Sequence, residues 1–250
     1  MSDSSNTLTV EKMFSYVMEV PGIKVNRVAF LQNNFGNRPE LVSCRPIDIF
    51  PPEILDKRAK QVRKLHTFTA TTASVAAGIP GGWAMLPAGF ADIIQYYANS
   101  LILMQKMGYI YGWPDLQDAN GNFSEETTHI MLLYLGVSNG VAAANKFIQE
   151  AAEAAGKRAA KYIIKNPVTK ELWYQLLKKL LDFFGKKLTK EGAAQIAKKA
   201  IPVLGAAISG GLTLTTFSIE NKRLQKKLKE EQEFSDSLNN HFIISTGILK

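Results

Sequence analysis

From Thr67 to Ala91 the chain runs 25 positions without a charged residue, and from Ala200 to Ile219 it does so for another 20. Segments of this kind cannot be clothed in water, so they must pack against other elements or sit at a membrane. The first breaks at Gly78-Ile79-Pro80-Gly81-Gly82 and resumes as an apolar helix from Trp83 through Leu86, Ile94, Leu101 and Met104 to Tyr111. The stretch Thr67–Tyr111 therefore reads as a helical hairpin with a glycine-rich turn. In the second segment Gly205, Gly210 and Gly211, with Ala206 and Ala207, form a small-residue face that lets another helix backbone approach closely.

Neither segment makes a convincing membrane span. A spanning helix needs about 20 apolar residues. Residues 200–219 have the length but are diluted with Ser, Thr and Gly. The first segment is interrupted by Pro80 and its glycines, and Asp92 adjoins it. A carboxylate in the bilayer centre costs about 2.5–3.5 kcal/mol or more. Buried core hairpins are the leading expectation, conditional membrane insertion the second, and permanent spanning the third.

The rest of the chain supplies more helices. Apolar periodicity predicts helices over Val10–Glu19, stopped by Pro21-Gly22, and over Val25–Phe35. An irregular connector runs from Gly36 to Phe50, and Pro51-Pro52 opens an amphipathic helix over Glu53–Thr69. Trp113–Asn122 reads as a polar loop, and Ser124 as the N-cap of a helix with Glu125 and Glu126 in its first turn. That helix is interrupted at Gly136–Gly140, and an Ala-rich helix continues from Val141 to about Ile164. Leu172–Phe184 carries a broad apolar face, and Glu220–Glu233 is densely charged with balanced signs. No strand-rich block appears before the tail at Ser235–Lys250, read as a short extended piece. The expected class is all-α, a multi-helix bundle. Its organisation is an N-terminal extension and connector over 1–50, a helical domain over 51–234 and a tail over 235–250.

Charge is distributed unevenly. Between Lys146 and Lys199 stand 13 basic and 5 acidic residues, an excess equal to the whole chain's net charge of +8. A localised basic surface of this kind suits an anionic membrane, at about 1 kcal/mol per Lys or Arg near the surface. A solvated helix face would carry the same pattern. Trp173, Lys178, Lys179, Lys186 and Lys187 are the candidate surface for membrane or partner. The charge alone does not make a nucleic-acid binder, since no recognition motif or aromatic platform accompanies it.

Catalytic patterns are absent. The histidines are His66, His129 and His241. Glu126 and His129 have the helical spacing of a di-iron ligand pair, but no second such pair exists. Cys44 is the lone cysteine, so no internal disulfide can form, and its surroundings do not resemble a nucleophile site. Gly78–Gly82 lacks the Lys and the Ser or Thr of a phosphate-binding loop. The expectation is no metal, no cofactor, no small-molecule substrate and no enzymatic activity. Asp92, alone in an apolar helix, is the polar residue whose surroundings matter most. The opening Met-Ser-Asp-Ser-Ser-Asn lacks the basic and apolar regions of a secretory signal, so export by that route is not expected.

Gly81-Gly82 leading through Leu86-Pro87 to Asp92, then Leu101 to Gly108-Tyr109-Ile110-Tyr111-Gly112-Trp113, resembles the central signature of EcsC-family proteins. Pro202 to Gly210 is similar to that family's C-terminal Pro-x-x-Gly-Ala element. The resemblance covers roughly Glu53 to Leu228. It implies a bacterial accessory protein of the kind encoded beside an ABC transporter, membrane-associated and without agreed activity or cofactor. Two functions follow as expectations. The first is a non-enzymatic cytoplasmic protein, peripheral to the inner membrane, with its basic surface on anionic lipid. The alternative is a protein-interaction module, such as a partner, chaperone or immunity-type protein of a toxin or secretion system, binding through Leu172–Phe184 or the tail.

Overall fold

The computed structural model describes residues 10–72, 90–155, 178–180, 182–183 and 217–232. Six α-helices follow in order: α1 (Val10–Glu19), α2 (Arg27–Phe35), α3 (Pro52–Thr72), α4 (Phe90–Ile110), α5 (Glu125–Ser138) and α6 (Ala142–Ala155). Two 3-10 turns, Pro39–Val42 and Pro46–Asp48, lie in the connector before α3. Residues 178–180, 182–183 and 217–232 are also helical. Among the described residues there is no strand, only an isolated antiparallel bridge between Gln117 and Phe123. The class is all-α, as the periodicity predicts.

The helix α4 is the centre of the bundle, and α1, α2, α3 and α5 all pack on it. Ile94, Tyr97, Ala98, Leu101, Leu103, Met104, Met107, Tyr109 and Ile110 are buried along its length. The described arm of the uncharged hairpin is thus enclosed by protein, and no helix among the described residues is long and apolar enough to cross a membrane. The arms α3 and α4 run antiparallel, since Asp56 meets Tyr111 near one end and His66 meets Asn99 near the other. The turn between them, with Gly81, Gly82 and Pro87, lies outside the described residues. Residues of α1, the turn after it, α2 and the connector (Val17, Ile23, Leu31 and Leu41 among them) share one core with α3 to α6.

Two buried polar side chains fix the N-terminal segment to this centre. Gln105 is fully buried; its Nε2 donates to the carbonyls of Ile23 (2.7 Å) and Leu101 (3.1 Å), and its Oε1 accepts from the Val25 amide at 3.1 Å. The side chain thereby satisfies the backbone of the turn between α1 and α2, where no helix can do so. Gln105→Leu orphans the buried amide of Val25 and the carbonyl of Ile23 together, at about 1–3 kcal/mol each. The expected outcome is a Tm lowered by about 5–10 °C in a thermal melt followed by circular dichroism. Arg27, also buried, reaches further, with Nε donating to the Trp113 carbonyl at 3.2 Å. Its Nη atoms donate to the carbonyls of Leu41 (3.0 Å), Val42 (3.4 Å) and Cys44 (3.0 Å).

Both α4 and α5 end in the same way. Gly112 has φ +88° and donates to the Tyr109 carbonyl at 3.1 Å, while Trp113 donates to Gly108 at 2.8 Å. Gly140 has φ +80° and donates to Val137 at 2.9 Å, while Val141 donates to Gly136 at 2.8 Å. These are paired helix-terminating bonds that need a left-handed residue, which glycine adopts without steric penalty. In each case a second glycine four residues earlier admits a close neighbour. The Trp113 ring lies on Gly108, and Leu180 reaches Gly136. At the start of α5 the Ser124 hydroxyl accepts from the Thr127 amide at 3.2 Å, the N-cap expected there.

Candidate functional site

The helix α3 has two working faces. Leu55, Ala59, Val62, Arg63, His66 and Thr67 are buried, at the three- and four-residue spacing that makes one helical stripe. The opposite side exposes Lys57, Lys60, Gln61 and Lys64. It also exposes Leu65 at 66% and Phe68 at 64%, the largest exposures among the big apolar residues described. Three lysines within eight residues, beside exposed large apolar side chains, form a basic and apolar surface that the inner packing does not require. Arg58 lies at its border, donating to Gln61 at 3.1 Å and standing 5.9 Å from the Phe35 ring centroid.

On the inner side, a polar seam joins α3, α4 and α5 to the helix over 217–232. Tyr96 donates to Glu220, and Asn221 donates to the Thr67 hydroxyl at 3.3 Å. Arg63 Nε donates to Gln225 Oε1 at 2.9 Å, and Gln225 Nε2 donates to the Tyr111 hydroxyl at 3.3 Å. Tyr111 donates in turn to Asp56 Oδ1 at 3.0 Å, and the second oxygen of Asp56 takes Lys229. Tyr134 closes the seam by donating to Glu231 at 2.5 Å. Buried Glu220, Asn221, Glu231 and Gln232 stand beside buried Phe217, Leu224 and Leu228, so more than half of this helix's buried side chains are polar. Burial, then the adjacent Glu220, raises the Tyr96 hydroxyl pKa; burial and Glu231 do the same for Tyr134. These tyrosines stay protonated and can only donate to the carboxylates.

His66 and Lys106 occupy the end of this seam near Phe217. His66 Nε2 faces the Asn99 carbonyl at 2.9 Å, so it must carry the proton, and Nδ1 accepts from Lys106 Nζ at 3.4 Å. Burial first, and Lys106 second, lower the His66 pKa to about 4, against a smaller opposing effect of the Asn99 bond. Burial also lowers the pKa of Lys106.

The residues singled out in the sequence fall unequally. Tyr111 is buried and at the heart of the seam, and Gly112 ends α4. Asp92 lies in the first turn of α4, with its side chain outside the described residues, as are Pro202, Gly205, Gly210, Gly211, Trp173, Lys186 and Lys187. Lys178 and Lys179 are exposed. Next to them, Leu180 is fully buried against Gly136, so this part of the Leu172–Phe184 face packs inside the chain. His129 stands 3.7 Å from Glu125, one turn earlier. Among the described residues no group of three or more His, Cys, Asp or Glu side chains could hold a metal ion.

Sequence reasoning missed the seam because Glu220–Glu233 reads only as a densely charged helix with balanced signs. The available signal was its register: Phe217, Glu220, Leu224, Leu228 and Glu231 repeat at three or four residues, so the carboxylates share the apolar stripe. The outer face of α3 was legible by the same rule, because Leu65 and Phe68 fall off the stripe that buries Leu55, Ala59 and Val62. No family model, no curated protein and no solved structure matches this chain.

Proposed function

We propose that the protein is a non-enzymatic accessory protein of the EcsC kind that binds the surface of anionic membranes peripherally, with the outer face of α3 as its docking surface. The observation that carries this reading is the placement of Lys57, Lys60 and Lys64 beside exposed Leu65 and Phe68 on one helix. Cations attract anionic headgroups, and large apolar side chains at the same level partition into the headgroup boundary. The enclosure of α4 supports a surface mode over insertion of that helix, since its apolar residues are already covered by neighbours. The basic surface expected between Lys146 and Lys199 is a second contributor, through exposed Lys146, Lys178 and Lys179.

Flotation with vesicles tests this. Vesicles containing phosphatidylserine are expected to carry the protein upward at low salt and to release most of it at 0.5 M salt, where screening shortens the reach of the lysines. Neutral phosphatidylcholine vesicles are expected to leave it at the bottom. Equal binding to both would remove the electrostatic basis, and binding to neither would remove the membrane reading.

A further inference from the structure

We infer that the helix over 217–232 is a latch that acid releases from the bundle, with His66 as its trigger. This is independent of the membrane reading and stands on the geometry of the seam. Among the described residues the latch is attached by polar bonds from Glu220, Asn221, Gln225, Lys229 and Glu231, beside a narrow apolar strip of Phe217, Leu224 and Leu228. Water can replace such bonds at low net cost once it enters, unlike the packing of an apolar face.

Among the described residues of the latch, Phe217 is the one whose ring packs on the trigger. Its ring stands 6.2 Å from that of His66 and makes an edge contact at 5.5 Å with Tyr96, whose hydroxyl holds Glu220. Beneath this cover His66 is neutral, donating to Asn99 and accepting from Lys106. From α4 the charged group facing it is Lys106, whose hydrogen-bond partner among the described residues is this imidazole. From the latch the nearest acid in sequence is Glu220, directed at Tyr96. On α3 itself Arg63 lies three residues earlier and is directed at Gln225.

A proton on Nδ1 turns the acceptor into a donor and sets a second cation against the Lys106 ammonium. The imidazolium then needs water, and water requires Phe217 to leave. Because Phe217 packs on Tyr96, its departure loosens the Tyr96–Glu220 bond and opens the latch from its first turn.

The closed state holds His66 near 4 and an open state near its ordinary 6.5, so the open state binds the proton more tightly. Closure is fully favoured above pH 6.5 and loses ground as pH falls toward 4. At pH 4.5 the opening equilibrium is raised on the order of a hundredfold relative to neutral pH.

Hydrogen exchange read by mass spectrometry on the full chain tests this, with protection factors corrected for the intrinsic pH dependence of exchange. Between pH 7.5 and 4.5, protection of 217–232 is expected to fall about a hundredfold while 94–110 of α4 changes only a few-fold. In His66→Gln, which keeps a donor toward Asn99 and cannot titrate, the fall is expected to be under tenfold. Lys106→Met, which removes the facing cation, serves as a second variant and is expected to reduce the fall. A wild-type fall under tenfold, a joint loss in α4 and 217–232, or an unchanged fall in both variants would overturn the latch.

Discussion

Replacing Arg27 with methionine is expected to destabilise the protein by about 3–5 kcal/mol. The guanidinium is buried, and burial lowers its pKa, against a smaller opposing influence of Asp115. Its donors meet carbonyls at Leu41 and Cys44 in the connector and at Trp113 after α4, so two segments distant in sequence are tied to α2 through one side chain. Removing it leaves those carbonyls without their donor, at about 1–3 kcal/mol each, offset in part because no charge need then be buried. Arg27→Lys is expected to recover less than half, since an ammonium cannot fork toward the connector and Trp113 at once. Urea unfolding checks both, through a lowered midpoint at unchanged slope. A loss under 1 kcal/mol for Arg27→Met would mean that the connector is held by its own 3-10 turns instead.

The second large effect is steric. A Cβ at Gly108 would overlap the ring of Trp113. The ring has little freedom to withdraw, because its own amide is bonded to the Gly108 carbonyl at 2.8 Å and Tyr134 stands edge-on at 4.7 Å. Gly108→Ala is therefore expected to cost about 3 kcal/mol, at the upper end of overpacking. Gly112→Ala is the internal comparison. It forces a left-handed conformation on a residue with a Cβ, at about 1–2 kcal/mol. Paired urea titrations should rank Gly108→Ala as the more damaging, and the reverse order would mean that backbone strain outweighs the Trp113 contact.

These two sites also mark how far the sequence can be read. Helix class, the stop after Glu19, the Ser124 cap and the glycine ends are local matters, and each follows from residues within a few positions. The Gly108–Trp113 block is also a local device, because Gly136–Val141 builds the same helix end. Arg27 and Gln105 act over 14 to 86 residues of chain, and no periodicity reveals which carbonyl a buried donor will meet. The seam lies between these limits. The register of Glu220 and Glu231 marks them as inward-facing, but their tyrosine partners on α4 and α5 emerge only once the helices are packed.

The outer face of α3 carries the proposed membrane contact. Neutralising Lys57, Lys60 and Lys64 together with glutamine removes about 3 kcal/mol of attraction, which is more than a hundredfold in affinity for an anionic surface. In flotation with phosphatidylserine vesicles at low salt, this triple variant is expected to stay at the bottom of the gradient. Lys178→Gln with Lys179→Gln, which removes two contributing lysines and leaves the outer face of α3 intact, is expected to weaken flotation less than the triple variant does. A triple variant that floats like wild type would contradict the assignment of α3 as the membrane-facing surface.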